Sequence, residues 1–181
     1  MLYKKLNFNL SGVDCEKIKG KPFEGYGETF RQFYIKDIFY LYSLMKNKIE
    51  FKIRPNHISY IEISGYGAEP HKDQCLSTIN YYIDTVDCVT TFYKPRSELI
   101  ETIIPGMTGQ DRVIEAYQLD ELAPIDSFKA INGDAYLLNS REIHSVLRPT
   151  NDTNVRKILK WMWDRDDFET VLDSIKIIDK S

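Results

Sequence analysis

The chain has 181 residues, enough to bury a real core, and 28% of them are charged, as in ordinary globular proteins. The net charge of −3, with no dominant basic block, argues against nucleic acid as the main partner. No run of about 18 apolar residues occurs, so no membrane span is expected, and Met1 to Phe8 lacks the apolar core of a signal peptide.

Residues 2–10 alternate Leu2, Lys4, Leu6, Phe8 and Leu10 against Tyr3, Lys5, Asn7 and Asn9, the period of a strand or extended arm. Residues 11–27 hold glycine, lysine and proline and are expected to be loop. From Thr29 to about Lys48, Phe30, Phe33, Tyr34, Ile38, Leu41, Tyr42 and Met45 fall at steps of three and four, which predicts an amphipathic helix. After Asn56 the period drops to two, and His57 to Ser64 is a predicted strand, broken by Gly65 and Gly67. Leu76 to Ile83 is a second strand, and Cys88 to Tyr93 is expected as its hairpin partner across Asp84–Asp87. Residues 94–110, with Pro95, Pro105, Gly106 and Gly109, form the longest irregular stretch and are expected to cover a binding mouth.

Arg112 to Tyr117 and Asp134 to Leu138 are further strands, the latter launched by the turn Asn132-Gly133. Pro149 to Asn154 is a polar turn, and Val155 to Trp163 a dense apolar strand carrying Arg156, Lys157 and Lys160. The tail from Asp166 to Ile178 has helical spacing and is expected as a helix or a loose extension. One helix followed by about eight short strands predicts a mainly β (α+β) fold with helical support on one side. The architecture expected is a double-stranded β-helix, that is, a jelly roll or cupin-like barrel. No repeat or linker interrupts the chain, so a single domain over 1–181 is expected, its core at about 57–163. Cys15, Cys75 and Cys88 lack zinc-type spacing and are expected to be reduced thiols of a cytoplasmic protein.

The stretch Gly65-Tyr66-Gly67-Ala68-Glu69-Pro70-His71-Lys72-Asp73 carries the chemistry. In extended chain His71 and Asp73 share a face, and an imidazole beside a carboxylate is two-thirds of a metal site. Of the other two histidines, His144 follows a strand-like run, whereas His57 has no nearby carboxylate pattern and is expected to be structural or exposed. Two histidines and one carboxylate with open positions opposite suit Fe(II). His71, Asp73 and His144 are therefore the candidate metal ligands and catalytic centre; a plain surface turn is the competing reading. Neutral imidazoles and one carboxylate leave Fe(II) at a net charge of about +1, which favours an anionic co-ligand such as 2-oxoglutarate, with dioxygen at the last position.

The far carboxylate of 2-oxoglutarate needs a buried cation, and an arginine fork matches it with two hydrogen bonds. Arg156 is the first candidate, Lys157 the second and Arg148 the third, because strand parity is open at this stage. Thr78, Asn80 and Tyr82 share one strand face, which is either the polar lining of that pocket or a solvent-facing edge. Trp161 and Trp163 share a face of the last strand and are expected in the core.

Gly67 to Asp73, Leu76 to Asp84, Gly133-Asp134-Ala135-Tyr136-Leu137-Leu138 with His144-Ser145-Val146, and Arg156 occur in one order. Together they resemble the 2-oxoglutarate/Fe(II)-dependent oxygenase superfamily, and more closely its prolyl-hydroxylase-like branch. The resemblance covers about residues 57–163. It implies a non-haem Fe(II) dioxygenase that couples oxidative decarboxylation of 2-oxoglutarate to hydroxylation of a substrate. Tyr82 stands where a tyrosine of that branch contacts 2-oxoglutarate. The presence of Asp73 implies a hydroxylase, since halogenating relatives lack that carboxylate. The chain departs from the branch at Asp87-Cys88-Val89-Thr90-Thr91-Phe92, where glycines usually precede the threonine. The substrate expected is a small molecule or a peptide: a prolyl or other protein residue, or an amino-acid-like metabolite. The alternatives are a cupin-like metal-binding protein of another class and a non-catalytic β-barrel binding domain.

Overall fold

The computed structural model describes residues 1–24, 29–65, 67–96, 117–148 and 154–178, and the backbone alone of 103–104 and 114–115. The first third of the chain gives β1 (Tyr3–Leu6), α1 (Cys15–Ile18), β2 (Lys19–Pro22), β3 (Phe30–Ile35), α2 (Ile38–Met45) and β4 (Ile49–Phe51). Next come β5 (His57–Ile63), β6 (Gly67–His71), β7 (Ser77–Asp84), β8 (Val89–Pro95), β9 (Ile103–Ile104) and β10 (Ile114–Glu115). The last third gives β11 (Leu122–Lys129), β12 (Ala135–Asn139), β13 (His144–Leu147), β14 (Arg156–Trp163), α3 (Phe168–Ser174) and β15 (Ile175–Ile177).

A large antiparallel sheet runs in the order β1-β12-β7-β14-β5-β3-β2, and a small one in the order β11-β8-β13-β6. From β5 onward the chain passes between the two sheets: β5, β7, β12 and β14 lie in the large one, β6, β8, β11 and β13 in the small one. That alternation is the connectivity of a jelly roll, so the expected double-stranded β-helix is the fold. The sheets pack face to face through Tyr82, Tyr136 and Leu138 of the large sheet against Phe92 and Phe128 of the small one.

Period two explains why the large sheet has helices on its other side. Tyr60, Ile79, Tyr81, Leu137, Leu159, Trp161 and Trp163 alternate outward and bury against Ile18, Leu41, Met45, Phe168 and Val171. Trp161 and Trp163 are fully buried there, as expected. Each removes roughly 150–250 Å² from water, on the order of 4–6 kcal/mol before the cost of ordering.

Several local expectations are corrected. The run from Thr29 to Lys48 is not one helix: Phe30 to Tyr34 pair with β5 as β3, and only Ile38–Met45 is helical. The exposed edge of β5 needs a ladder partner, and Asp37 starts the helix late by accepting the Tyr40 N–H at 2.8 Å. Residues 11–27 are not wholly loop, since they hold α1 and β2. Nor is β8 the hairpin partner of β7. Both edges of β7 are taken, by β12 and β14, and β8 pairs with β11 and β13 in the opposite sheet. Val86 and Asp87, both at positive φ, make the turn that carries the chain across. The tail holds both α3 and β15, the latter pairing with β4. Tyr66, most of the 94–110 stretch and residues 149–153 lie outside the described residues; of the predicted strand Arg112 to Tyr117, only Ile114 and Glu115 are described as strand.

Candidate metal centre

The pairing of two short strands builds the site. β6 and β13 run antiparallel with His71 directly opposite His144, and a bulge follows between His144 and Val146. Bulges re-aim side chains, and Pro70, which has no N–H to give a ladder, sits in this one. The close approach depends on Gly67: its φ is +106°, and a Cβ there would come within 1.9 Å of the Val146 carbonyl oxygen. The two imidazole rings are 4.6 Å apart between centroids. Asp73, just past β6, is held by its own N–H on the Ser140 carbonyl at 2.9 Å.

One ligand atom each from His71, Asp73 and His144 lies within 4.8 Å of the others. His71 Nε2 is 3.5 Å from Asp73 Oδ1. His71 Nδ1 is 2.6 Å from the Glu69 carbonyl and His144 Nδ1 is 2.9 Å from the Glu142 carbonyl. A carbonyl only accepts, so each Nδ1 carries a proton and each Nε2 is the nitrogen turned to the cluster. This is the orientation that metal-binding histidines need.

Burial pulls the His144 imidazolium down to about 4, with the Asp73 carboxylate opposing, so this ring is neutral near pH 7. His71 feels the same burial, but the hydrogen bond and charge of Asp73 outweigh it and raise its pKa. Asp73 is desolvated as well, yet Lys160 and the two imidazoles hold its carboxyl well below the ordinary range. A metal would displace the proton that Asp73 favours on His71, and the cluster would then offer one carboxylate and two imidazole lone pairs.

Lys160 was visible in sequence only as a cation in an apolar strand. Its Nζ lies 2.8 Å from Asp73 Oδ2, and both side chains are less than one-fifth exposed. The signal in the sequence is its four-residue spacing from Arg156, which puts both on one strand face.

That face points between the sheets. Arg156 is 1% exposed, and its guanidinium stands 5.0 Å from the centroid of the Tyr82 ring. Among the described residues, Arg156 Nε and Nη2, the Tyr82 hydroxyl and Asn80 Oδ1 are buried with no hydrogen-bond partner. Leaving such groups unmatched is costly, and Arg156, Tyr82 and Asn80 share the inner face of adjacent strands, so that face is a candidate place for a polar ligand. Thr78 differs, since its Oγ1 accepts the Ser140 hydroxyl at 3.1 Å. Lys157, beside Arg156, is only half-buried and sits opposite Asp84 and Glu62. Arg148 is buried and donates Nη2 to the Ile63 carbonyl at 3.1 Å.

His57 is outside this group: it is exposed, 3.2 Å from Asp164. Lys72 points to Tyr117, its Nζ 5.6 Å from the ring centroid. Cys15, Cys75 and Cys88 are all unpaired thiols. An apolar cleft of about 400 Å³, lined by Met45, Phe51, Ile58 and Trp161 among others, lies on the outer face of the large sheet.

The residues present fit a divalent iron centre and an anionic co-ligand. Three ligand atoms of the facial-triad type converge, and an unmatched guanidinium waits in the same interior. No helix among the described residues is long and apolar enough to cross a membrane.

No family model matches the chain, and neither does any curated protein. Solved structures do. The epimerase SnoN in complex with Fe3+, alpha ketoglutarate and nogalamycin RO is similar at 12% identity and a TM-score of 0.47, over 89% of this chain and 78% of that one. Vicilin from Corylus avellana (hazelnut) is similar at 10% identity and a TM-score of 0.43, over 80% of this chain but only 31% of its own. E. coli ycfD is similar at 11% identity and a TM-score of 0.39, over 83% of this chain and 38% of its own. At these scores the chemistry has to come from the side chains of this chain.

Proposed function

We propose that this chain is a small 2-oxoglutarate/Fe(II)-dependent dioxygenase that hydroxylates a substrate carbon. The observation that carries the proposal is the approach of His71, Asp73 and His144 to within 4.8 Å in the barrel that also buries the unmatched Arg156. Iron held there supplies the redox chemistry. Substrate C–H, 2-oxoglutarate and dioxygen become substrate C–OH, succinate and carbon dioxide, one oxygen atom going to each organic product.

The chain's own residues do the rest. His71 and His144 offer Nε2 because the Glu69 and Glu142 carbonyls hold the Nδ1 protons. Asp73 offers Oδ1. One carboxylate against a divalent ion leaves positive charge, which draws an anionic co-substrate. Arg156 is the cation for the distal carboxylate, with the Tyr82 hydroxyl beside it. Asn80 lies on the same face, and Thr78, tied to Ser140, shapes the wall. The two facing sheets bury Arg156, Tyr82 and Asn80, which limits competition from water for these hydrogen bonds.

The motif order from Gly67 through Arg156 supports the prolyl-hydroxylase-like branch, and the ionised Asp73 supports hydroxylation over halogenation. Without the branch's usual glycines before Thr90, the substrate class stays at a protein residue or an amino-acid-like metabolite. Three unpaired thiols support a reducing, cytoplasmic setting. The test is succinate release from 2-oxoglutarate across a panel of peptides and amino acids. It is expected to require Fe(II) and to disappear in Asp73→Ala. Succinate release that persists in that variant would overturn the assignment.

A further inference from the structure

Asp73 is held differently from the two histidines. His71 and His144 are each fixed by a carbonyl two residues earlier in their own segment. The carboxylate of Asp73 is instead met from the opposite sheet, by Lys160 of β14, with Nζ at 2.8 Å from Oδ2. Its other oxygen, Oδ1, faces His71 Nε2 at 3.5 Å. Lys160 lies in the middle of the large sheet, opposite Asn80 of β7 and Ser59 of β5. Its neighbours on the same strand face are Ile158 and Met162, so packing gives no reason for an ammonium there. A cation in such a place persists only when paired.

We propose that Lys160 is a positioning residue that fixes Asp73 as a one-oxygen metal ligand. The ammonium occupies Oδ2, so a metal between the histidines meets Oδ1 alone. A carboxylate left to rotate would offer both oxygens and close a position that the co-substrate needs. The pair also holds the carboxylate in place before metal arrives, which spares the ordering of that ligand at the moment of binding. The proposal rests on the reading of His71, Asp73 and His144 as ligands.

The experiment uses the full chain and Mn(II) alone, with bound metal read from the loss of the free-ion paramagnetic resonance signal. Wild type, Lys160→Met and Lys160→Arg are compared, with circular dichroism and a melting curve for each metal-free protein. Lys160→Met is expected to fold and to bind Mn(II) about 10–100-fold more weakly, the usual cost of losing a partner of a metal ligand. Lys160→Arg, which keeps a donor and the charge, is expected to recover most of that loss. If Lys160→Met fails to fold, Lys160→Gln, which keeps a donor without the charge, is expected to show an intermediate loss. Binding as tight as wild type in the folded neutral variant would overturn the positioning role and leave the metal site standing. Absence of Mn(II) binding in wild type itself would overturn the metal site and this role together.

Discussion

The residue that most sharply separates metal binding from co-substrate binding is Arg156. It is 1% exposed, with Nε and Nη2 unmatched among the described residues, and it is not one of the three candidate ligands. Arg156→Ala is therefore expected to leave Mn(II) affinity unchanged. It should weaken 2-oxoglutarate by on the order of 2 kcal/mol, a factor of about 30, as for loss of a charged hydrogen bond. Calorimetric titration of the Mn(II)-loaded chain checks this; an unchanged 2-oxoglutarate affinity would return the role to Lys157 or Arg148. Sequence points to the three candidate ligands because His-x-Asp and a distant histidine can be read from residue type and spacing alone. It ranks Arg156 ahead of Lys157 and Arg148 without settling the choice, since period two alone does not say which face of β14 turns inward. Lys160 escaped for a related reason: a lysine among apolar residues looks the same whether its ammonium reaches water or a carboxylate.

At the scale of elements, the pairing of β6 with β13 is what makes three distant residues into a site. Gly67→Ala puts a Cβ at a φ of +106° and against the Val146 carbonyl, so the two strands must separate. The expected result is a loss of stability of at least about 1–3 kcal/mol together with a loss of Mn(II) binding, read by denaturant unfolding and metal titration. A stable Gly67→Ala that binds Mn(II) normally would mean the register is not what sets the ligand geometry.

Glu62 on β5 makes a second element-scale prediction. It is buried, which opposes ionisation, but Lys19 of β2, Arg31 of β3 and the Tyr60 hydroxyl outweigh that and lower its pKa. A lowered folded pKa means stability that is complete above the ordinary value of 4.5 and is lost as pH falls through the folded value. Glu62→Gln should thus be less stable than wild type at neutral pH, and the gap should close on acidification below about 4.5. Denaturation midpoints across pH measure it; a gap independent of pH would deny the charge its role.

The strands that were legible, β5, β7, β12 and β14, are the middle of the large sheet. Their outward faces are continuous apolar sets such as Ile79, Tyr81 and Leu159, Trp161, Trp163, so period two is strong. The small sheet was harder to see. β6 carries a proline, the small residues Gly67 and Ala68, and a candidate ligand histidine, and β13 is four residues long. Function and brevity both erase the alternation that pattern reading needs. β3 reads as helix in the sequence because Phe30, Phe33 and Tyr34 fit a step of three as readily as a strand with one buried phenylalanine.

Over the whole molecule, the jelly roll turns a weak local motif into an interior site. The large sheet brings Arg156, Tyr82 and Asn80 on one inner face, and the small sheet brings His71 and His144 on its own. Lys160 and Asp73 join the two. The measurement that tests this most directly is an anaerobic titration of the full chain with Fe(II) and then 2-oxoglutarate, followed by visible absorption. The account predicts one iron per chain, a broad charge-transfer band that grows with 2-oxoglutarate, and loss of both in Asp73→Ala. One bound iron with no band at saturating 2-oxoglutarate would contradict it.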